Sequence, residues 1–328
     1  MRYTSILAVA AGISSTTAFA EFGARSVEHL NDGLVERKSA ACPAVWTNVV
    51  AELKGMFFDS SIGQCNDDAR AAIRAAFHDC GTWDKSQGST GGCDGSLILA
   101  DEAGQRAENN GLQDISAKLL KLQKKYVAID SSVTVADMIQ VASSVAVVVC
   151  PSGPRVTTFV GRKDNSSAAG NPNGNLPSAT ASGDSLYALF QAKGFSAVDL
   201  AALLGAHSTS RAFGQTSIGI PSGCAQDSSD GIWDVKYYSE TTLTNPPAGV
   251  CPFPSDVNLA KHAVVGKEFA GFVNNQGKWT GKFADAMLRM SLLGVPGGSS
   301  KLIDCTNVIP KSTSNKRDMK MAPIFSKP

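Results

Sequence analysis

The chain has 328 residues, with 30 Lys and Arg, 29 Asp and Glu, and a hydrophobic fraction of 43%. A net charge near zero, without a dense basic run before the C-terminal tail, argues against nucleic-acid binding, and no apolar run has the length of a membrane helix. The eight cysteines include no pair separated by two residues, so they predict disulfides rather than a zinc site.

The N-terminal 38 residues are typical of segments that are removed from a secreted protein. Residues 1–20 combine Arg2, a short apolar stretch and the sequence Ala18-Phe19-Ala20, which predicts a signal peptide. Residues 21–38 are polar and predict a propeptide. We therefore expect an extracellular protein with a folded domain over residues 39–310. Residues 311–328 are rich in Lys, Ser and Pro, and predict an extended or mobile tail.

Helical patterns dominate the remaining chain and predict an all-α fold. The predicted helices are Pro43 to Phe58, Asp67 to His78, Thr134 to Val149, Ser196 to Ser210 and Phe283 to Leu293. Two of them begin with the pattern of a capping box, Thr134 with Asp137 and Ser196 with Asp199. Loops rich in Gly, Pro, Ser and Asn occupy 81–95, 161–183 and 211–231. Loops of this length are usually functional or held in place by cross-links.

One of the four histidines lies in a pattern suited to peroxide cleavage. Arg74 and His78 are four residues apart and therefore share a helix face. Imidazole can take and return a proton near neutral pH, and a guanidinium can stabilise the charge that develops on a leaving oxygen. Phe77, which lies beside them, is placed to cover one side of a cofactor.

A second histidine continues an apolar helical stripe. Leu200, Leu203, Leu204 and His207 follow the spacing of a buried face, so the imidazole of His207 is expected to point inward. An inward imidazole is what an axial ligand of haem iron requires.

Several separated motifs resemble the secreted haem peroxidases of the plant, fungal and bacterial superfamily. They are Arg74 to Asp79, Gly91 to Ser96, Leu203 to Ser208 and Ser255 to Lys261. The resemblance is greatest to the fungal class II group of lignin, manganese and versatile peroxidases, and it runs from about Cys42 to Pro310. It implies a two-lobed fold, with one haem b between a distal and a proximal lobe.

The resemblance also implies roles for particular residues. Arg74, Phe77 and His78 would form the distal catalytic group, and His207 would ligate the haem iron. Asp256 would bond the other ring nitrogen of His207. Asn109 would hold His78 in its basic tautomer. A glutamate normally supports that asparagine; Glu102 is the nearest candidate, but its spacing is one residue off, and a plain surface acid is the alternative.

Two calcium ions are implied as well, since Ca²⁺ binds carboxylate, hydroxyl and carbonyl oxygens. The residues that match the distal site are Asp79, Gly92, Asp94 and Ser96. Those that match the proximal site are Ser208, Asp227, Ser229, Ile232 and Asp234. Asp79 follows His78 directly and Ser208 follows His207, so each calcium would anchor one catalytic helix. The alternative is that these are ordinary loop residues.

The resemblance guides the disulfide pairing, because eight cysteines alone allow about 105 pairings. Cys42–Cys305 and Cys65–Cys150 match class II positions. Cys80–Cys93 encloses the distal loop, as in plant secreted peroxidases, and Cys224–Cys251 is the pair that remains. One glycosylation sequon, Asn165-Ser166-Ser167, lies in a loop.

The chain departs from the class II pattern at several positions. The aromatic ring expected against the proximal imidazole is replaced by Gln226. The three acids of the manganese site align with Asp67, Ala71 and Phe213, and the surface tryptophan of lignin and versatile peroxidases aligns with Ala202. Trp233 and Trp279 remain as alternatives for that surface role, if they are exposed.

These patterns predict a secreted, monomeric haem peroxidase. It would reduce H₂O₂ and oxidise small phenolic or aromatic donors by one-electron steps at the haem edge. The alternative function is a secreted haem-binding or structural protein of the same fold with little turnover. A secreted hydrolase is disfavoured because the sequence has neither an H-E-x-x-H nor a G-x-S-x-G motif.

Overall fold

The computed structural model describes residues 40–88, 91–169 and 175–312. The expected signal peptide and propeptide lie outside these residues, as does the expected tail beyond its first two residues. None of the described helices is both long and apolar enough to cross a membrane.

Helices form most of the described structure, which confirms the all-α prediction. The helices are α1 (Val45–Phe57), α2 (Asp67–Cys80), α3 (Ser96–Leu99), α4 (Glu102–Gln105), α5 (Gln113–Val127), α6 (Val135–Val149), α7 (Gly183–Lys193), α8 (Ala197–Leu204), α9 (Lys236–Glu240), α10 (Pro254–Lys261), α11 (Val265–Ala270) and α12 (Gln276–Met290). Short 3-10 turns link several of them, including Gly205–Thr209 directly after α8.

In the described residues, the strands are two residues long and occur as three antiparallel pairs. They are β1 (Phe58–Asp59) with β2 (Gln64–Cys65), β3 (Phe159–Val160) with β6 (Ile303–Asp304), and β4 (Arg211–Ala212) with β5 (Cys224–Ala225). Each pair fastens a loop to its neighbour, and none forms a sheet that could carry a core.

The helices pack in two groups. Helices α1 to α6 contact one another around α6, and α7 to α12 contact one another around α8. Helix α6 is buried on all sides, which explains its almost entirely apolar sequence. The two groups correspond to the two lobes of the expected fold, with α2 in the first and α8 in the second.

Four disulfides tie the loops to these helices. They join Cys42 to Cys305, Cys65 to Cys150, Cys80 to Cys93 and Cys224 to Cys251. The first connects the two ends of the described chain. The third closes the loop that follows α2.

The start of α2 follows from its sequence. The side chain of Asn66 accepts a hydrogen bond from the backbone of Ala69, which caps the helix. Asp67 and Asp68 occupy the first turn, where negative charge stabilises the helix dipole. The helix therefore begins where the sequence predicts, but it continues two residues past His78 to Cys80.

The helix that leads to His207 is shorter than predicted. Its capping box of Ser196 and Asp199 is present, but the α-helix ends at Leu204 and His207 lies in the 3-10 turn that follows. The Tyr238 hydroxyl donates to the carbonyl of Ala201 at 2.8 Å. In a continued α-helix the N–H of Gly205 would donate to the Ala201 carbonyl. It donates instead to the carbonyls of Ala202 and Leu203, so the α-helix gives way to a tighter 3-10 turn.

The other predicted helices need smaller corrections. The late helix begins at Gln276, not at Phe283, and ends at Met290. The first helix spans Val45–Phe57. Thr134 caps α6 as expected, but Asp137 does not complete a capping box. Its carboxylate accepts from the backbone of Gly161 and Arg162 instead.

Asp137 and Arg162 form an ion pair in the core of the first lobe. The guanidinium donates to the carboxylate at 2.8 Å, and both side chains are almost fully buried. Arg162 also donates to the carbonyl of Ser291, just after α12. Burial raises the pKa of Asp137, and the charge of Arg162 opposes that rise. The pair therefore joins α6, the following loop and α12.

We predict that Asp137→Ala lowers the free energy of unfolding by about 3–5 kcal/mol, because it leaves a buried guanidinium without its counter-charge. Asp164→Ala is the matched control. It removes an exposed carboxylate that accepts from the backbone of Val135 and Ala136 at the start of the same helix, and should cost only about 1 kcal/mol. Urea unfolding with intact disulfides measures both, and equal losses would contradict the prediction.

Candidate active site

Arg74 and His78 lie side by side on α2. The guanidinium Nε donates to His78 Nε2 at 3.1 Å, and its two terminal nitrogens donate to the carbonyls of Asn110 and Glu108 at 2.8 Å each. The Arg74 side chain is thus fixed by the chain that follows α4. Burial lowers the pKa of Arg74 to about 10, so it keeps its charge at neutral pH.

The other ring nitrogen of His78 contacts Asn109. Nδ1 lies 2.7 Å from the Asn109 Oδ1 atom, and both residues are buried. An amide oxygen can only accept, so Nδ1 carries the proton and Nε2 is the basic atom. Burial, followed by the charge of Arg74, lowers the pKa of His78 well below its usual value. The imidazole is therefore neutral near pH 7 and free to accept a proton.

Glu102 holds Asn109 through its backbone and not through its carboxylate. The Asn109 amide donates to the carbonyl oxygen of Glu102 at 3.0 Å. The Glu102 carboxylate is buried, and accepts from Arg106 and from the backbone of Ala169. The alternative of a plain surface acid is therefore wrong.

His207 and Asp256 form the corresponding pair on the second lobe. His207 Nδ1 lies 2.7 Å from Asp256 Oδ2, and the carboxylate is buried at the start of α10. Burial alone would lower the pKa of His207, but the charge and the hydrogen bond of Asp256 outweigh it and raise that pKa. The pairing occupies Nδ1 and leaves Nε2 for a ligand.

Two rings that the sequence did not reveal flank His207. Phe253 and Tyr237 meet the imidazole edge to face, with centroids 5.3 and 5.9 Å away. They supply the aromatic contact that is missing at Gln226. Phe253 lies three residues before Asp256, a spacing that could have indicated it. Burial, then the charge of Asp256, raises the pKa of Tyr237 well above its usual value, so the phenol keeps its proton.

The residues around both histidines fit a flat, apolar cofactor with a metal centre. Phe77, Leu203, Leu204 and Ala206 are apolar and pack against the core, yet each is only partly buried. The charge of Arg74 also acts to lower the pKa of His207, so the two helices that carry the histidines are within electrostatic range. An imidazole with a buried carboxylate partner is a typical iron ligand.

The residues expected to form the first calcium site lie at the end of α2 and in the loop that packs against it. Asp79 is fully buried and accepts from the backbone of Gly95 and Leu97, and Asp94 accepts from the backbone of Ser96. Burial, followed by the charge of Asp94, raises the pKa of Asp79 well above its usual range. The Ser96 hydroxyl is buried without a partner.

Asn165, the residue of the sequon, donates its side-chain amide to Asp94 at 2.9 Å. Gly92 has a φ of 87°, and a Cβ there would collide with the carbonyl of Leu293, so only glycine fits. The loop that holds Asp94 is therefore fixed on both sides.

The second set follows His207. Ser208 Oγ and Asp227 Oδ2 are buried and lack partners, while Asp227 Oδ1 accepts from Ser229. Ser229 also donates to Asp234 at 2.7 Å, and the backbone N–H of Ile232 donates to the carbonyl of Ser229. Burial, then the charge of Asp234, raises the pKa of Asp227.

Neither set is a cluster of the strongest metal ligands. Among the described residues, no group of three or more His, Cys, Asp or Glu side chains is arranged to hold a metal ion. Each set instead pairs two carboxylates with hydroxyl and carbonyl oxygens. Calcium accepts this mixture, whereas structural zinc sites are built from cysteine and histidine side chains.

An ion-pair network occupies the region aligned with the manganese site. Asp67 pairs with Arg70 at 3.0 Å, Arg70 pairs with Asp230 at 3.5 Å, and Arg211 also bonds Asp230. Phe213 is exposed. The one acid of the aligned trio is thus neutralised by an arginine.

Trp233 and Trp279 do not lie at the surface, where a tryptophan that oxidises bulky donors would have to be. Trp233 and Trp279 are both fully buried, so the alternative that they are exposed is wrong. Ala202 is also fully buried, and its carbonyl accepts from the Trp279 indole. All four tryptophans fall in the described residues, and of these only Trp83 is partly exposed.

Comparisons with known proteins agree with this geometry. Residues 49–275 match the family model described as peroxidase. The chain is 31% identical to manganese peroxidase 3 of Phlebia radiata over 85% of this chain and 79% of that one. It is 32% identical to a low-redox potential peroxidase of Taiwanofungus camphoratus over 81% of this chain and 77% of that one. It is 29% identical to versatile peroxidase VPS1 of Pleurotus eryngii over 82% of this chain and 75% of that one.

Proposed function

This chain belongs to the peroxidase family and is a haem peroxidase that acts on H₂O₂, and we propose that His207 ligates the iron while His78 and Arg74 activate the peroxide. The observation that carries this assignment is the pair of bonds at Nδ1, 2.7 Å from His78 to Asn109 and 2.7 Å from His207 to Asp256. One histidine is kept as a neutral base, and the other is made a stronger electron donor.

The haem, when bound, supplies the redox chemistry. The chain supplies proton transfer and charge. His78 Nε2 takes the proton from one peroxide oxygen and returns it to the other, while the Arg74 guanidinium stabilises the negative charge that builds up on the leaving oxygen. Asn109 keeps the Nδ1 proton in place, so Nε2 is always the atom that reacts. The four disulfides support an extracellular location.

We predict that His207→Ala loses most of the haem Soret absorbance, and that His78→Ala keeps it but reacts with H₂O₂ about 10²–10⁴-fold more slowly. His262→Ala is the control, since His262 pairs with Asp184 at 3.1 Å outside this site. Absorbance scans and stopped-flow mixing with H₂O₂ measure both effects. A His78 variant with the wild-type rate would refute the acid–base role, and a wild type without turnover would favour the haem-binding alternative.

We also propose two calcium ions, one at each set of oxygen ligands. The partnerless Ser96 and Ser208 hydroxyls and the partnerless Asp227 oxygen support this, since a buried polar atom without a partner costs about 1–3 kcal/mol. Each set also brings two carboxylates together, and a divalent cation would remove their repulsion. The sites would fix the backbone directly after His78 and His207.

We predict about two calcium ions per chain by elemental analysis. Chelation should lower the melting temperature and the rate with H₂O₂, and added Ca²⁺ should restore part of both. Ser208→Ala should weaken calcium retention. Ser143→Ala, which removes another buried and partnerless hydroxyl in α6, should not. Full activity after verified removal of calcium would contradict the proposal.

The donors are proposed to be small phenols and related aromatic molecules that reach the haem edge. Mn²⁺ would need several carboxylates, but Asp67 is bonded to Arg70, and Ala71 and Phe213 carry no acid. Arg70 and Arg211 pair with Asp67 and Asp230, so this region has no excess negative charge to attract a cation. A bulky donor that cannot enter has no relay to the haem, because Ala202 stands where the surface tryptophan would be.

We predict saturable turnover of a simple phenol and weak or no turnover of chelated Mn²⁺ and of a non-phenolic aromatic alcohol. Steady-state assays of the three donors decide this, and Trp83→Phe tests the one partly exposed tryptophan. Efficient, saturable Mn²⁺ oxidation would mean that the Asp67 region is misaligned. Turnover of the alcohol that disappears in Trp83→Phe would identify Trp83 as a surface oxidation site.

A further inference from the structure

A buried phenol, that of Tyr237, lies beside the carboxylate that holds His207, and the buried Thr241 hydroxyl lies beside that phenol. The Tyr237 ring is fully buried and meets the imidazole edge to face, and its hydroxyl faces Asp256 and Thr241. Neither the Tyr237 hydroxyl nor the Thr241 hydroxyl has a partner at hydrogen-bond geometry. A phenol in this position brings a donor with no assigned acceptor to the edge of the histidine pair.

The Asp256 carboxylate has spare acceptor capacity. Its Oδ2 atom takes the His207 Nδ1 bond at 2.7 Å, while Oδ1 has only a long contact of 3.4 Å from the Ser255 hydroxyl. A carboxylate can accept about four hydrogen bonds. Because a buried donor without an acceptor is costly, a hydrogen bond from the Tyr237 phenol to this carboxylate is favourable.

We propose that Tyr237 is a positioning residue that shares the Asp256 carboxylate with His207 and so raises the reduction potential of the haem iron. This inference rests on the proposed ligation of iron by His207. A second donor on the carboxylate withdraws negative charge from the bond to Nδ1. The imidazole is then a weaker electron donor, and the reduced iron is favoured relative to the oxidised iron.

The test uses the haem-loaded enzyme and two readouts other than turnover. In Tyr237→Phe the carboxylate serves His207 alone. The iron–histidine stretch of the reduced protein, read by resonance Raman, should therefore move to higher frequency, and the midpoint potential should move to a more negative value. Thr241→Val, which leaves the phenol in place but removes its hydroxyl neighbour, should shift both readouts in the same direction by less.

Tyr238→Phe is the matched control. Tyr238 is adjacent and equally buried, but its hydroxyl donates to the carbonyl of Ala201 at 2.8 Å, so its loss should shift both readouts clearly less than Tyr237→Phe does. Combining Tyr237→Phe with Asp256→Ala should give no shift beyond that of Asp256→Ala, because the two residues would act through one bond.

The failure of this inference is distinct from the failure of His207 ligation. A Tyr237→Phe enzyme with a normal Soret band and unchanged stretch and potential would overturn the role of Tyr237 and leave the ligation intact. Equal shifts in Tyr237→Phe and Tyr238→Phe would also overturn it, because they would indicate a general change of packing. If His207→Ala retains its Soret band, both proposals fall.

Discussion

The hydrogen bond at Nδ1 decides what each buried histidine can do. At His78 the partner is the Asn109 amide, which is neutral and can only accept, so Nε2 remains a base. At His207 the partner is the Asp256 carboxylate, whose charge pushes electron density into the ring. The same side chain therefore performs two opposite tasks, and the lobes exist largely to hold one partner against each ring.

Much of the supporting structure fixes those two partners. Asn109 is held by the carbonyl of Glu102, whose carboxylate is held in turn by Arg106 and by the backbone of Ala169. On the other lobe, α10 carries Phe253 at its N-cap and Asp256 in its first turn, so one short helix presents both the ring and the acid to His207. Two short helical elements, the 3-10 turn Ala107–Asn109 and helix α10, thus place the two partners that set the chemistry.

The sequence predicted the residues that a local pattern defines and missed those that depend on tertiary contacts. The i, i+4 spacing of Arg74 and His78 predicted a shared face, and Ser196 with Asp199 predicted the start of α8. The end of α8 depends on Tyr238, which is distant in the sequence and whose hydroxyl donates to the carbonyl of Ala201 in this helix. Tyr237 lies 30 residues beyond His207 in the sequence, and no periodicity joins them. The burial of Trp233 and Trp279 arises from their stacking on each other and on Phe283.

The position of Ala202 limits how this scaffold could acquire a new donor site. A tryptophan at that position would not reach solvent, because the Trp279 indole lies across its carbonyl and the methyl group is fully enclosed. A tryptophan grafted at this position would meet the Trp279 ring of α12, which is itself fully buried. Overpacking a filled interior costs about 1–3 kcal/mol of stability. The graft would therefore loosen α8, which leads to His207, in exchange for a new route for electron transfer.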